Sequence, residues 1–162
     1  MHYLDNSATS RVLPEAARAA MDAMAEGFGN PSSQHRLGIE AARLLKDSRE
    51  AVASALNAQP NEITFTSGGT ESINTAIFGA AFKNRHLGKH IVSTAIEHAA
   101  TRNALKRLED EGFTVTYLQP DASGHVTAED FAAALRDDTI LASVMMVNNE
   151  VGTLLPVIEM GR

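Results

Sequence analysis

Residues 140–147 read Ile-Leu-Ala-Ser-Val-Met-Met-Val, a continuous apolar run. A strand written this way is buried on both faces, as in a parallel sheet covered by helices on either side. The residues before it support that reading, because helix-like and strand-like segments alternate. Pro14 suits a first helical position and Gly27 a stop, which predicts a helix over 14–26. Leu45, Val52 and Leu56 fall on one face of a longer helix over 38–58. Glu62-Ile63-Thr64-Phe65-Thr66 reads as a short strand, and 70–83 as a helix with Ile73, Ile77 and Phe78 inward. The pattern repeats with a strand at 90–94, a helix at 98–111 ended by Gly112, and an alternating β-branched strand at 113–118. Thr127 and Asp130 form a carboxylate variant of a capping box before a helix at 128–137, on which Phe131 and Leu135 lie one turn apart. A further helix begins at Val157. Four strands alternating with helices predict an α/β fold of three layers, a mainly parallel sheet with helices on both faces. Residues 1–60 read as a helical and irregular extension, and 61–162 as the first part of the α/β domain.

The 162 residues carry 20 acidic and 14 basic side chains, a net charge of −6. Without a basic tract the chain is a poor binder of nucleic acid, because phosphate contacts need clustered Lys and Arg. Aromatic residues are only 5%, which argues against a base-stacking platform. There is no cysteine, so these residues hold no disulfide, thiolate zinc site or thiol nucleophile. No apolar run approaches the ~20 residues of a bilayer span. The start, Met1-His2-Tyr3-Leu4-Asp5-Asn6, lacks the basic and apolar regions of a signal peptide, so a cytoplasmic location is expected.

In open α/β sheets, ligands bind beyond the carboxyl ends of the strands. Three predicted strand ends carry polar turns of small residues. Thr66-Ser67-Gly68-Gly69-Thr70-Glu71 stands between a strand and a helix. Its glycines let the backbone approach an anion, and the helix start offers free N–H groups. It has no Walker-type lysine, which disfavours a nucleoside triphosphate. A plain strand-to-helix turn needs glycine too. Glu97-His98 opens the helix after the 90–94 strand. A helix N-terminus disfavours the cationic form of histidine, so a neutral imidazole is expected there, able to move a proton or lie on an aromatic ligand. A solvent-exposed first-turn histidine is the simpler alternative. Asn148-Asn149-Glu150-Val151-Gly152 follows the apolar run and suits a polar ligand or an ordinary turn. His86 and His90 flank Gly88 and Lys89, which reads as a solvated basic connection. Gly27-Phe28-Gly29-Asn30-Pro31-Ser32-Ser33 reads as a long irregular loop.

Taken in order, Tyr3-Leu4-Asp5-Asn6-Ser7-Ala8-Thr9, Gly29-Asn30-Pro31-Ser32-Ser33, His35-Arg36-Leu37-Gly38, Phe65 to Ser72, Glu97-His98 and Val147 to Gly152 closely resemble the cysteine desulfurase family. That family comprises pyridoxal-phosphate enzymes of the class V aminotransferase superfamily. The resemblance implies the large domain of a fold type I pyridoxal-phosphate enzyme, in part, with the rest of that domain and a small C-terminal domain absent. It implies that Gly69 and Thr70 hold the cofactor phosphate. His98 would stack on the pyridine ring and move protons of the substrate, and Asn149 would hydrogen-bond the ring hydroxyl. It also implies conversion of L-cysteine to L-alanine with sulfur left as an enzyme persulfide. The sulfur would pass to an iron–sulfur scaffold or to tRNA thiolation through an acceptor protein, and the full-length enzyme would be a homodimer.

The departures carry equal weight. The family needs a lysine bonded to the cofactor, a cysteine that takes the sulfur, and an aspartate on the pyridine nitrogen. In the family's order all three lie beyond Arg162. Lys46, Lys83, Lys89 and Lys106 all fall in or beside helices or before a strand, none in a strand-end loop. The chain alone is therefore expected not to desulfurate cysteine. Ser10 stands where the family often has a second Thr, a small change between hydroxylated residues. The alternatives are another class V enzyme, such as a selenocysteine lyase or an aminotransferase, and a non-catalytic half-length or remnant protein.

Overall fold

The computed structural model describes residues 2–162. The chain divides into two compact units, one ending at Phe65 and the other spanning Thr66–Arg162.

The first unit holds α1 (Pro14–Ala25), α2 (Arg36–Ala55) and a single 3-10 turn at Pro60–Glu62. Pro14 occupies the first turn of α1, as its fixed φ favours. The His35 side chain caps α2 by accepting from the Gly38 amide. The loop before α2 is pressed onto it. A Cβ on Gly29 would overlap the Leu37 carbonyl, which is why glycine stands there. On α2 the side chains that become buried are the small ones, Gly38, Ala41 and Ala53. Leu45, Val52 and Leu56, grouped on one face by the sequence, remain 40%, 36% and 67% exposed.

The expected strand at 62–66 is not formed. Glu62 closes the 3-10 turn, and its carboxylate accepts from the Gln59 amide at 2.7 Å. Ile63 is extended, but its carbonyl accepts from the Arg49 guanidinium of α2, which also lies 5.0 Å from the Phe65 ring centroid. A strand exists only through a neighbour that takes its ladder bonds. Among the described residues this segment is tied to a side chain instead.

The second unit contains α3 (Gly69–Asn84), β1 (His90–Thr94), α4 (Ala99–Asp110), β2 (Thr114–Leu118), α5 (Ala128–Ala134), β3 (Thr139–Ser143) and α6 (Val157–Met160). The described sheet is parallel throughout, in the order β2-β1-β3. β1 pairs with β2 from His90↔Thr114 to Thr94↔Leu118. Successive β1 residues point to opposite faces and so build two cores. Ile91 packs with Ile77 and Ala81 of α3 and with Ala104, Leu105 and Leu108 of α4. Val92 packs on the other side with Leu118, Val126, Phe131 and Leu155. This is the three-layer arrangement expected from the sequence, with three described strands rather than four.

Two element ends differ from expectation. α5 stops at Ala134 because the next residues form a turn into β3. There the Arg136 guanidinium grips Asp138 through Nε and Nη2, each at 2.9 Å, and the Arg136 amide donates to Thr139 Oγ1 at 2.8 Å. Leu135, beyond the helix, is consequently 47% exposed. β3 ends at Ser143, not Val147, because the Met145 amide turns to the Glu97 carboxylate at 2.7 Å. β3 is also an edge strand of the described sheet, and its residues are half-buried except Ala142, which is exposed. The strand enclosed on both faces is β1.

Candidate active site

The carboxyl ends of all three strands open onto one cavity of about 720 Å³. Its walls are residues 95–99 and Arg102 after β1, residues 121–124 after β2, and residues 148–151 after β3. That placement follows from parallel pairing, which brings every carboxyl end to the same side of the sheet.

The β1 wall is set by a tight turn. The Ala95 amide still bonds to the Leu118 carbonyl at 2.9 Å, and then the chain leaves the sheet. His98 caps α4, its Nδ1 accepting from the Ala100 amide at 3.1 Å. That bond leaves Nδ1 without a proton, so the neutral ring carries its proton on Nε2. The imidazole is exposed beside the cavity. Its neighbour Glu97 is buried, 6% exposed, and one carboxylate oxygen accepts from Thr94 Oγ1 at 2.9 Å and from the Met145 amide at 2.7 Å. Burial pushes the Glu97 carboxyl above its usual range, and the two hydrogen bonds oppose the shift.

The β3 wall is organised by Asn148. Its Oδ1 accepts from the amides of Glu150 and Val151 at 2.9 and 3.0 Å, and its Nδ2 donates to the Ile96 carbonyl at 3.1 Å. Asn149 follows with its side chain exposed at the cavity. The β2 wall is a compact turn. Asp121 Oδ1 accepts from the Ser123 hydroxyl and amide and from the His125 amide, which holds this carboxyl below its ordinary range. Thr153 Oγ1 donates to the Ser123 carbonyl at 2.9 Å and fastens this turn to the β3 loop.

The structure thus brings His98 and Asn149 to one cavity. Gly69 and Thr70 stand in the first turn of α3 and are not among its walls. The space above Gly68 and Gly69 is open: apart from their chain neighbours and the backbone of α3 itself, no heavy atom of the described residues lies within 4 Å of where either Cβ would stand. Glu71 holds the turn by accepting from the Ser67 amide at 2.7 Å and hydroxyl at 2.6 Å, which lowers its pKa. Thr66 Oγ1 and Ser72 Oγ lie 2.6 Å apart behind it.

Sequence reasoning passed over the 121–124 wall. Pro120-Asp121-Ala122-Ser123-Gly124 is a turn signature, and its position after a strand was the available signal. The tying roles of Glu97 and Asn148 had no such signal. They depend on partners 48 and 52 residues away.

Comparison with known proteins decides the family. The class V aminotransferase family model matches residues 2–162. The chain belongs to the class V aminotransferase family. Over 159 residues it is 49% identical to a cysteine desulfurase IscS of Methanosarcina thermophila, covering 98% of this chain and 39% of that protein. It is equally 49% identical to a NifS/IcsS protein homolog of Lactobacillus delbrueckii subsp. bulgaricus, covering 41% of that protein. Among solved structures, a NifS-like protein superposes with a TM-score of 0.93 at 40% identity, covering 98% of this chain and 43% of the other. A structure titled SspA in complex with cysteine superposes at 0.91 with 38% identity, covering 99% and 46%. The chain therefore spans about two fifths of the length of the curated relatives it matches.

Class V enzymes depend on pyridoxal phosphate, a flat aromatic ring bearing one phosphate. The residues present fit such a group. The backbone of Gly68 and Gly69 at a helix start is unobstructed, so an anion can approach its N–H groups. An exposed imidazole with a fixed tautomer and an exposed amide stand together at one cavity.

Proposed function

We propose that this chain supplies the phosphate, ring and hydroxyl contacts of a cysteine desulfurase acting on L-cysteine in the cytoplasm. The observation that carries the proposal is the convergence of His98 and Asn149 on one cavity at the carboxyl ends of β1 and β3. The order of motifs, the 49% identity to a curated desulfurase and the unobstructed backbone at the start of α3 support it.

When bound, the cofactor supplies an electron sink for the substrate. The chain's own residues do the rest. The α3 N-terminus and the Thr70 hydroxyl bind the phosphate through N–H and O–H donors. His98 would lie against the ring and would move a proton through Nε2, since Nδ1 is held by the Ala100 amide. The Asn149 amide would bond the ring hydroxyl. In the overall reaction the Cβ–S bond of cysteine breaks and its sulfur joins an enzyme thiol as a persulfide. The carbon gains the proton that the two thiols lose between them, giving alanine. This chain has no cysteine, so that thiol is not among its residues. The sulfur then goes to an iron–sulfur scaffold or to a tRNA-thiolating acceptor, and the working assembly is a homodimer.

Pyridoxal phosphate titrated into the purified chain, followed by its absorbance, tests the reading. Saturable uptake is expected, weakened roughly tenfold by Thr70→Ala, His98→Ala or Asn149→Ala, one lost hydrogen bond or stacking contact each. Lys83→Ala, late in α3, leaves it unchanged. With L-cysteine added, the chain alone releases neither sulfide nor alanine. Absence of uptake, or equal uptake by all four variants, overturns the proposal, and robust sulfide release refutes the division of labour.

A further inference from the structure

The cavity is walled by loops that share no ladder bonds, yet His98 and Asn149 are held at it together. β1 ends at Thr94 and β3 at Ser143, so the sheet itself does not hold residues 95–98 against residues 144–149. Two side-chain ties bridge the gap. Glu97 uses a single oxygen, Oε1, for both the Thr94 hydroxyl at 2.9 Å and the Met145 amide at 2.7 Å. Asn148 ties the opposite way, Nδ2 to the Ile96 carbonyl at 3.1 Å, and its Oδ1 shapes the turn that carries Asn149. Both side chains are buried, at 6% and 7% exposure, and each adjoins in sequence one of the two ligand-facing residues.

We infer that Glu97 is a positioning residue, which clamps the His98 loop to the Asn149 loop through one buried acceptor oxygen and so sets how the two side chains meet the cofactor ring. The inference rests on the reading above, in which those two residues face the ring. Its chemistry is specific. The clamp needs an acceptor at Oε1 and does not need the negative charge, because an amide or protonated carboxyl oxygen accepts the same two bonds. Glutamine therefore preserves it and alanine abolishes it. Without it the Met145 amide loses its partner, and of the two hydrogen-bond ties between residues 144–149 and the β1 turn only that of Asn148 remains.

The test compares parent, Glu97→Gln and Glu97→Ala by amide exchange at Met145, by the NMR resonance of the Asn149 side-chain amide, and by pyridoxal-phosphate titration. All are measured where the far-UV spectra of the three proteins coincide. In Glu97→Ala, Met145 exchange is expected to accelerate at least about tenfold, the Asn149 resonance to move, and cofactor affinity to fall roughly tenfold, near the worth of one ordinary hydrogen bond. Glu97→Gln is expected to stay within about twofold of the parent in all three, the margin of an unaltered hydrogen bond. A Glu97→Ala protein that is merely less stable, with the Asn149 resonance and cofactor affinity unchanged, overturns the inference. So does a Glu97→Gln protein as impaired as Glu97→Ala, since charge would then be what matters. Should the parent take up no cofactor, the proposed function falls for this chain, and the Met145 and Asn149 readouts decide the clamp by the same criteria.

Discussion

His90 is the group through which acidity is expected to reach this fold. It is fully enclosed at the start of β1, with Nδ1 2.7 Å from Thr139 Oγ1 of β3 and Nε2 2.8 Å from Thr116 Oγ1 of β2. One imidazole thus joins all three strands. Truncation to alanine removes two hydrogen bonds, opens a cavity and leaves the Thr116 hydroxyl without its partner. About 1 kcal/mol for each bond and a further ~1–2 kcal/mol for the void give a loss near 3 kcal/mol at neutral pH. Burial pushes the His90 pKa down and Arg136 adds to this, while Asp138 opposes them. The folded state then binds fewer protons than the unfolded one as pH drops below the ordinary histidine value near 6.5. His90 stabilisation is fully present above that value and is lost as pH falls through the depressed folded value. The slope reaches at most about 1.4 kcal/mol per pH unit. Urea denaturation of parent and His90→Ala at about pH 7.5, 6.5 and 5.5, at fixed ionic strength, measures this directly. The expected gap is widest at the highest pH and narrows with acid. A gap that stays constant across the three values, or one below about 1 kcal/mol throughout, refutes the reasoning.

Two further predictions concern stability. A Cβ on Gly88 would run into the Asp138 backbone, so Gly88→Ala should cost about 2–3 kcal/mol by forcing that turn away, seen as a lower urea midpoint. Because burial raises the Glu97 pKa, its ionisation opposes folding, and the stability this group contributes is lost as pH rises through the raised value. Glu97→Gln should therefore match the parent near pH 4 and be at least as stable near pH 7. A clear loss at the higher pH would mean that the ionised carboxylate is worth more than its desolvation costs.

What was legible in the sequence was what local chemistry decides. β1 falls at 90–94 as expected, and Thr127 caps α5 through the Asp130 amide at 3.0 Å. Ile77 and Phe131 are buried as their periodicity implies. What was not legible depends on distant partners. Ile63-Thr64-Phe65 has the composition of a strand, yet its backbone is engaged by Arg49, fourteen residues earlier. The apolar run 140–147 looked like the most enclosed strand, but it turns at Met145 toward Glu97 and lies at the edge of the described sheet. His90 reads as part of a solvated basic connection and is instead buried between two threonines 26 and 49 residues away. At the site, residue types pointed to His98 and to the 148–152 turn, and the family resemblance singled out Asn149. The residues that hold them are recognisable only once β1 and β3 are neighbours.

The two polar ends of β1 also separate what joins the strands from what shapes the proposed site. At its amino end, His90 fastens the strands to one another. At its carboxyl end, Thr94 and Glu97 fasten not strands but loops, the loops that carry His98 and Asn149 to the cavity. The apolar middle, Ile91 and Val92, packs the two faces of the sheet, and the Val92 side also takes in Ile96 and Met145, whose backbone groups bond to Asn148 and Glu97. Substitutions at the two ends should accordingly act independently, as sites without shared partners do. His90→Ala should lower stability while leaving cofactor affinity in the folded fraction unchanged, and Glu97→Ala should do the reverse in emphasis. Coupling between them beyond about 0.5 kcal/mol in a double-mutant cycle would mean that the sheet transmits strain along β1, and that site geometry and fold stability are one property.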